Sequence, residues 1–312
     1  MDGHIHISDR SPGRGQPTAS VDLAPPHQLQ CMEIIGGNQA ARMAIDAPGL
    51  DIWLDSRPVA GNVGGDIHYF SGCGSGRVTR LAIADVSGHG PSMDDIAKTL
   101  RALMRKHINL LDQTHFAQAL NREFGEQAHD DYFATVLLAT YFGPTDHLII
   151  CNGGHPRPVW FSRRLNRWQF LDPSTPDKGA SIRQEKTTYR LVPLANLPLG
   201  VIEPTDYYQF AVKLEQDDLV VFYTDALIEA ANAQNQQLGE AGLLRVVSQL
   251  QPCEPRDFAE LLLARVDQWR DGVQRDDDQT LIVMHHNGSG PPKMTVRQAA
   301  KTMAKIFGLM RV

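Results

Sequence analysis

Four aspartates, Asp66, Asp85, Asp225 and Asp277, share a setting that could support chemistry: each stands where an apolar, strand-like run meets a turn. Carboxylates gathered without histidine or cysteine are hard oxygen donors, suited to magnesium or manganese rather than to zinc or copper. An oxygen-ligated cation centre is therefore the chemistry they offer. Aspartate and glycine also dominate ordinary turns, and for Asp66 and Asp85 taken alone that turn reading competes. The chain carries no P-loop, HExxH, GxSxG or dinucleotide-binding fingerprint that would point elsewhere.

The elements that must position these groups follow from periodicity and turn composition. Asp66 follows Gly64-Gly65 and leads into a strand over residues 67–70, while Asp85 closes a strand over 78–86 just before Ser87-Gly88-His89-Gly90. The GCGSG segment between them, Gly72 to Gly76, has hairpin-turn composition, so antiparallel pairing would bring both carboxylates to one end of a sheet. Asp225 follows the apolar run LVVFYT, residues 219–224, and Asp277 precedes a strand over 281–285. Alternation predicts a further strand over 50–57, and Gly36-Gly37 reads as a break between two short elements.

Helical spacing is clearest over 92–111, where Ile96, Leu100, Leu103, His107 and Leu110 recur. Ser92 suits an N-cap, with Asp94 and Asp95 near the start and Arg105, Lys106 and His107 near the end, as the helix dipole favours. A second helix is predicted over 114–128, and two more over 240–250 and 256–269. Short β-rich runs at 133–142, 147–151, 157–161, 168–171, 188–192 and 207–214 are separated by turn residues. Two helices followed by sequential hairpins predict an α+β fold, with antiparallel strands and the helices outside.

Three regions are expected: a disordered N-terminal tail over 1–28, one domain over 29–286, and over 287–312 a linker and a basic amphipathic helix. The tail mixes Gly, Pro, Ser, Asp and Arg without apolar periodicity, too little apolar surface to offset its ordering entropy. The last segment carries Lys293, Arg297, Lys301, Lys305 and Arg311 and no acid. With 312 residues, 42% of them hydrophobic, a sizeable core is expected, and the net charge of −6 lacks the basic excess of a nucleic-acid binder. The four cysteines are scattered without CxxC spacing, no apolar run approaches a membrane span, and no signal-peptide pattern opens the chain. A cytoplasmic location is expected.

Seven motifs in order resemble those of PPM-type protein serine/threonine phosphatases, in their bacterial SpoIIE-like and RsbU-like branch. They are GGD at Gly64 to Asp66, DVSGHG at Asp85 to Gly90, FATVLLATY at Phe133 to Tyr141, NGGHPRP at Asn152 to Pro158, LPLGV at Leu197 to Val201, YTDALIEA at Tyr223 to Ala230, and DDQT at Asp277 to Thr280. The resemblance implies a two-sheet antiparallel β-sandwich flanked by helices, with two divalent cations, Mn2+ or Mg2+, at one edge. It implies that Asp85 bridges the two cations, with the carbonyl of Val86 beside it. Asp66 would serve one cation, and Asp225 and Asp277 the other. The nucleophile so implied is a metal-bound water held by Asp85, attacking phosphorus directly.

Two departures from the family pattern stand out. Ala226 occupies a position after the aspartate where glycine is usual, a change that matters if the backbone there needs positive φ. The eukaryotic members hold substrate phosphate with an arginine a few residues before the first aspartate, but GNVGG before Asp66 contains none, and Arg57 is the nearest candidate. His89 and His155, on glycine-rich loops, are candidates to line the site or to act as a general acid. By resemblance the substrate would be a phosphorylated regulatory protein, such as a STAS-fold anti-sigma-factor antagonist, and homodimerisation is a further option. The rival reading is a catalytically silent PPM-fold module that sequesters a signalling partner.

Overall fold

In a computed structural model of the chain, residues 24–73, 76–87, 93–127, 132–173, 196–290 and 295 are described. In chain order the strands and helices are β1 (His27–Gln28), β2 (Ile34–Gln39), β3 (Ala41–Ala47), β4 (Leu50–Arg57), β5 (Val63–Cys73), β6 (Val78–Val86), α1 (Met93–His107) and α2 (Gln113–Gln127). They continue with β7 (Ala134–Phe142), β8 (His147–Gly153), β9 (Val159–Ser162), β10 (Arg167–Phe170), β11 (Gln209–Lys213), β12 (Leu219–Tyr223), α3 (Gly239–Ser248), α4 (Pro255–Arg270) and β13 (Gln279–His286). Among the described residues they form a seven-stranded sheet, β1-β3-β4-β13-β12-β9-β10, and a six-stranded sheet, β11-β8-β7-β6-β5-β2. The β1–β3 pair is parallel; the other ladders are antiparallel.

Strand alternation sorts side chains into three apolar layers. Phe70, Leu81, Ile83 and Leu137 of the six-stranded sheet meet Ile52, Leu54, Trp160, Phe222 and Ile282 of the other sheet in the central layer. Their neighbours Ile67, Tyr69, Ala82 and Leu138 turn outward onto Leu100, Met104, Phe116 and Leu120 of α1 and α2. On the opposite side Trp53, Val221, Leu281 and Val283 pack under Leu243, Phe258 and Leu262 of α3 and α4, with Trp168 stacked on Phe258 at 5.0 Å between ring centroids. Covering both sheets on both faces explains the near-continuous apolar strands such as LVVFY. The fold is thus the expected α+β sandwich with helices outside.

The Gly36-Gly37 pair does not end an element. It lies inside β2, paired with Tyr69 and His68 of β5, because a Cβ at Gly36 would collide with the His68 carbonyl. Glycine here permits close backbone approach instead of a break. Residues 27 and 28, within the segment expected to be a tail, join β3. Residues 1–23, the predicted strand over 188–192, Ser92 and the predicted C-terminal helix lie outside the described residues, Thr295 excepted. No described helix is long and apolar enough to cross a membrane. Cys31, Cys151 and Cys253 are free thiols.

Candidate metal centre

The β5–β6 hairpin places Asp66 and Asp85 directly opposite one another in register, and the next strand brings Thr135 opposite Asp85. Direct cross-strand partners point to the same face of a sheet. That face is the central one, because Phe70 and Ile83, at even spacing from the two aspartates, lie in the central layer. From the other sheet, β12 passes through Thr224 into a 3₁₀ turn over Asp225–Leu227, and β13 begins two residues after Asp277. Tyr223 pairs with Leu281, so the end of β12 and the start of β13 share one edge. The Thr224 hydroxyl donates to Asp66 Oδ2 at 2.9 Å and joins the two sheets at that edge.

Asp66 is 4% exposed, and its carboxyl is held well above the usual carboxylate range, first by burial and then by the charge of Asp85. The hydroxyls of Thr280 and Thr224 oppose this by bonding to the ionised form. Thr280 Oγ1 lies 3.0 Å from Ser56 Oγ, and the Thr280 N–H donates to Thr224 Oγ1 at 2.9 Å. A buried hydroxyl cradle therefore surrounds Asp66. Asp85 is pushed up to about 8 by burial and then by Asp225, Asp277, Asp278 and Glu229, and Asp225 to about 6 by burial, Asp277 and Glu229. Asp277 is raised chiefly by burial. The leading charged neighbours of Asp85 and Asp225 are all carboxylates, an arrangement that favours either protons or a cation.

The four predicted aspartates thus meet at one edge, two from each sheet. Among the described residues no three His, Cys, Asp or Glu side chains close into a complete ligand group; the donors are gathered rather than clenched. Their chemistry fits a hard divalent cation, since each is a carboxylate and the edge holds hydroxyls beside them. Val86 extends one residue beyond the last β5–β6 pair, Asp66 with Asp85, and so has no register partner on β5.

Ala226 sits in the 3₁₀ turn at 4% exposure and is not among the residues of positive φ. Its carbonyl accepts from Arg270 Nη2 at 3.0 Å. The backbone beside Asp225 therefore does not demand glycine. Arg57 pairs with Gln279 at the start of β13, but it alternates with Ser56, whose hydroxyl meets Thr280, and so its side chain lies on the other face of the sheet. Its guanidinium grips both oxygens of Asp55, at 2.5 and 2.9 Å, and its other charged neighbours, Asp267 and Glu260, belong to α4. Arg42 takes the same buried carboxylate at 3.0 Å. His155 is buried, and its Nδ1 lies 2.8 Å from the hydroxyl of Thr135, one side chain away from Asp85. Burial lowers its pKa to about 3, so it is neutral there. His89 lies outside the described residues.

The structure adds groups that sequence reasoning missed: Ser56, Thr224, Thr280, Glu229 and Asp278. Asp278 accepts the backbone N–H of Val59 at 2.7 Å and of Gly65 at 2.5 Å. The run Asp276-Asp277-Asp278 was the visible signal for an acidic corner, but only the fold separates the roles of adjacent acids.

Comparison with known proteins bears on the family and the fold. The sequence-family profile described as Stage II sporulation protein E (SpoIIE) matches residues 75–287, more than half of the chain. The phosphoserine phosphatase RsbU of Bacillus subtilis (strain 168) is 24% identical over 261 residues, covering 81% of this chain and 69% of that protein. A solved structure of the RsbU and RsbW domains of a Mycobacterium tuberculosis protein superposes with a TM-score of 0.59 at 21% identity, covering 87% of this chain and 72% of that one. The PP2C phosphatase domain of Bacillus subtilis SpoIIE, solved with a fragment of its regulatory domain, gives a TM-score of 0.56 at 18% identity, covering 81% and 70%.

Proposed function

The chain belongs to the SpoIIE family of PP2C-type phosphatases, and from that premise we propose that it hydrolyses phosphoserine or phosphothreonine on a partner regulatory protein with the help of two divalent cations, Mn2+ or Mg2+. The observation that carries the reading is the in-register pairing of Asp66 with Asp85, together with the convergence of Asp225 and Asp277 on Asp85. In this reading Asp66, Asp85, the carbonyl of Val86, Asp225 and Asp277 hold the cations. Two divalent cations in such a site supply Lewis-acid activation of a water and neutralise phosphoryl oxygens during in-line displacement.

The chain's own residues do the rest. Asp85, with Asp225, Asp277, Asp278 and Glu229 as its charged neighbours, would help to hold both cations. The Thr224 and Thr280 hydroxyls favour the ionised form of Asp66 against the burial and charge that raise its pKa, and neutral His155 fixes the Thr135 hydroxyl beside Asp85. With Arg57 committed to Asp55, the phosphoryl group would be bound mainly by the cations. The relative named a phosphoserine phosphatase supports a phosphoserine substrate, and the neighbour that pairs RsbU with RsbW domains supports a partner in sigma-factor control, such as a STAS-fold antagonist. We place the protein in the cytoplasm, with homodimerisation as a further property to measure.

The test is hydrolysis of p-nitrophenyl phosphate with and without Mn2+. Activity that depends on Mn2+ and vanishes in Asp85→Asn supports the reading, and a wild type silent under these conditions rejects it. The rival reading is a silent module that sequesters a signalling partner, suggested in the sequence by Ala226 at a position where glycine is usual. Partner binding that is indifferent to chelator, in a protein without hydrolytic activity, would favour it.

A further inference from the structure

The loop between β4 and β5 leads directly into Asp66, yet apolar burial does little to hold it: Val59 is 45% exposed and Val63 48%. Polar contacts hold it instead. Asp278 receives the N–H of Val59 and of Gly65 on its two oxygens, and Arg275 Nη2 donates to the Pro58 carbonyl at 2.9 Å. Asn38, 2% exposed, donates to the Gly64 carbonyl at 2.9 Å, and the Asn62 carbonyl accepts from Ala40 N. Gly64 is tight against the Asp278 carboxylate, so that a Cβ there would collide with it. Charge-assisted bonds from a carboxylate to backbone N–H groups are short and strong, and these two close a bridge between neighbours of two candidate ligands. Gly65 precedes Asp66 and Asp278 follows Asp277.

We propose that Asp278 is a positioning residue of the metal centre: by clamping the β4–β5 loop through Val59 and Gly65, it fixes the half of the site on β5 relative to the half that precedes β13. This rests on the metal-centre reading above and assigns Asp278 no contact with cation or substrate. Removing a residue that orients ligands weakens metal affinity about 10–100-fold in comparable sites, and that is the effect expected here.

Loss of charge and loss of geometry can be separated. Asp278→Ala removes both, Asp278→Asn removes the charge but keeps one acceptor oxygen, and Gly64→Ala keeps the charge but displaces the carboxylate. Full-length variants are titrated with Mn2+ by calorimetry, and amide exchange is followed across residues 58–66 and in α4. The expected result is Mn2+ affinity lowered about tenfold or more by Asp278→Ala and by Gly64→Ala, less by Asp278→Asn. Faster exchange at Val59 and Gly65 should accompany it, with α4 unchanged. Gly64→Ala should add nothing in the Asp278→Ala background, because the collision is gone. Affinity that follows charge alone, with Asn equal to Ala and Gly64→Ala equal to wild type, overturns the proposal. If wild type and Asp85→Asn take up Mn2+ alike, the metal-centre reading fails, and exchange decides the clamp: protection kept in Asp278→Ala overturns it, protection lost upholds it. Should Asp278→Ala not fold, Asp278→Asn and Gly64→Ala carry the same arms.

Discussion

Asp66 and Asp85 are direct partners across the β5–β6 ladder, so two carboxylates point into the same buried end of the sandwich. Like charges opposite one another destabilise a strand pair. The fold accepts that cost at this pair and sets hydroxyls rather than basic side chains around Asp66, which leaves the pair to be neutralised by protons or by a cation.

The cost predicts a pH dependence. An aspartate ordinarily titrates near 4, and Asp85 is pushed up to about 8, with Asp66 shifted in the same direction. Between those values the folded protein holds more protons than the unfolded chain, so stability falls as pH rises from about 4 to about 8. Without divalent cations the thermal midpoint should drop across this window, and Asp85→Asn, which cannot ionise, should flatten the drop. A midpoint that climbs with pH would contradict the assignment.

Divalent cations should reverse that loss. A ligand that binds only the folded state at a hundred times its dissociation constant adds about 2.7 kcal/mol. Mn2+ should therefore raise the thermal midpoint in a dose-dependent way, chelator should undo the rise, and Asp85→Asn should abolish it. Differential scanning fluorimetry reads all three arms, and equal midpoint shifts in wild type and variant would count against the site.

Thr224→Val tests the hydroxyl cradle. Thr224 is fully buried and bonds both Asp66 and the Thr280 N–H. Leaving such buried groups unsatisfied costs about 1–3 kcal/mol, measurable by urea denaturation, whereas a change within error would show that the cradle is not needed.

Arg57→Ala should act on stability rather than on substrate. Its removal takes two bonds from the buried Asp55 carboxylate, and Arg42 still reaches Oδ2, so a loss of roughly 1–3 kcal/mol is expected. The KM for p-nitrophenyl phosphate should not move. A raised KM with unchanged stability would return Arg57 to the phosphate site.

Ala226→Gly should bring no gain. Outside positive φ, glycine offers only extra chain entropy, a loss of about 0.5–1 kcal/mol in stability. Mn2+ affinity measured by calorimetry should match wild type, and a clear increase would show that the alanine strains Asp225.

The hairpin carrying Asp66 and Asp85 was legible because a glycine-rich turn and two alternating strands are local signals. The edge that gathers Asp225 and Asp277 could be inferred only from repeated strand-end aspartates and family resemblance. Ser56, Thr224 and Thr280 were invisible, since a hydroxyl in a strand acquires a partner only when two distant sheets are stacked. Arg57 was misleading for a related reason. It is close to Asp66 in sequence, but its guanidinium is bound to Asp55 beside α4, while its neighbour Ser56 faces Thr280. Asp277 and Asp278 are adjacent acids whose different tasks depend on where the β4–β5 loop runs.

The division of the acidic edge between two sheets has one more consequence. The gap between Asp85 and Asp225 is set by whatever fills the interior beneath them, including Phe70, Ile83, Phe222 and Ile282. Interiors are close-packed and transmit changes of volume, so this apolar layer acts as a spacer for the ligand set. Sequence drift deep in the sandwich is then constrained twice, once by stability and once by the tolerance of an ion for its coordination distances.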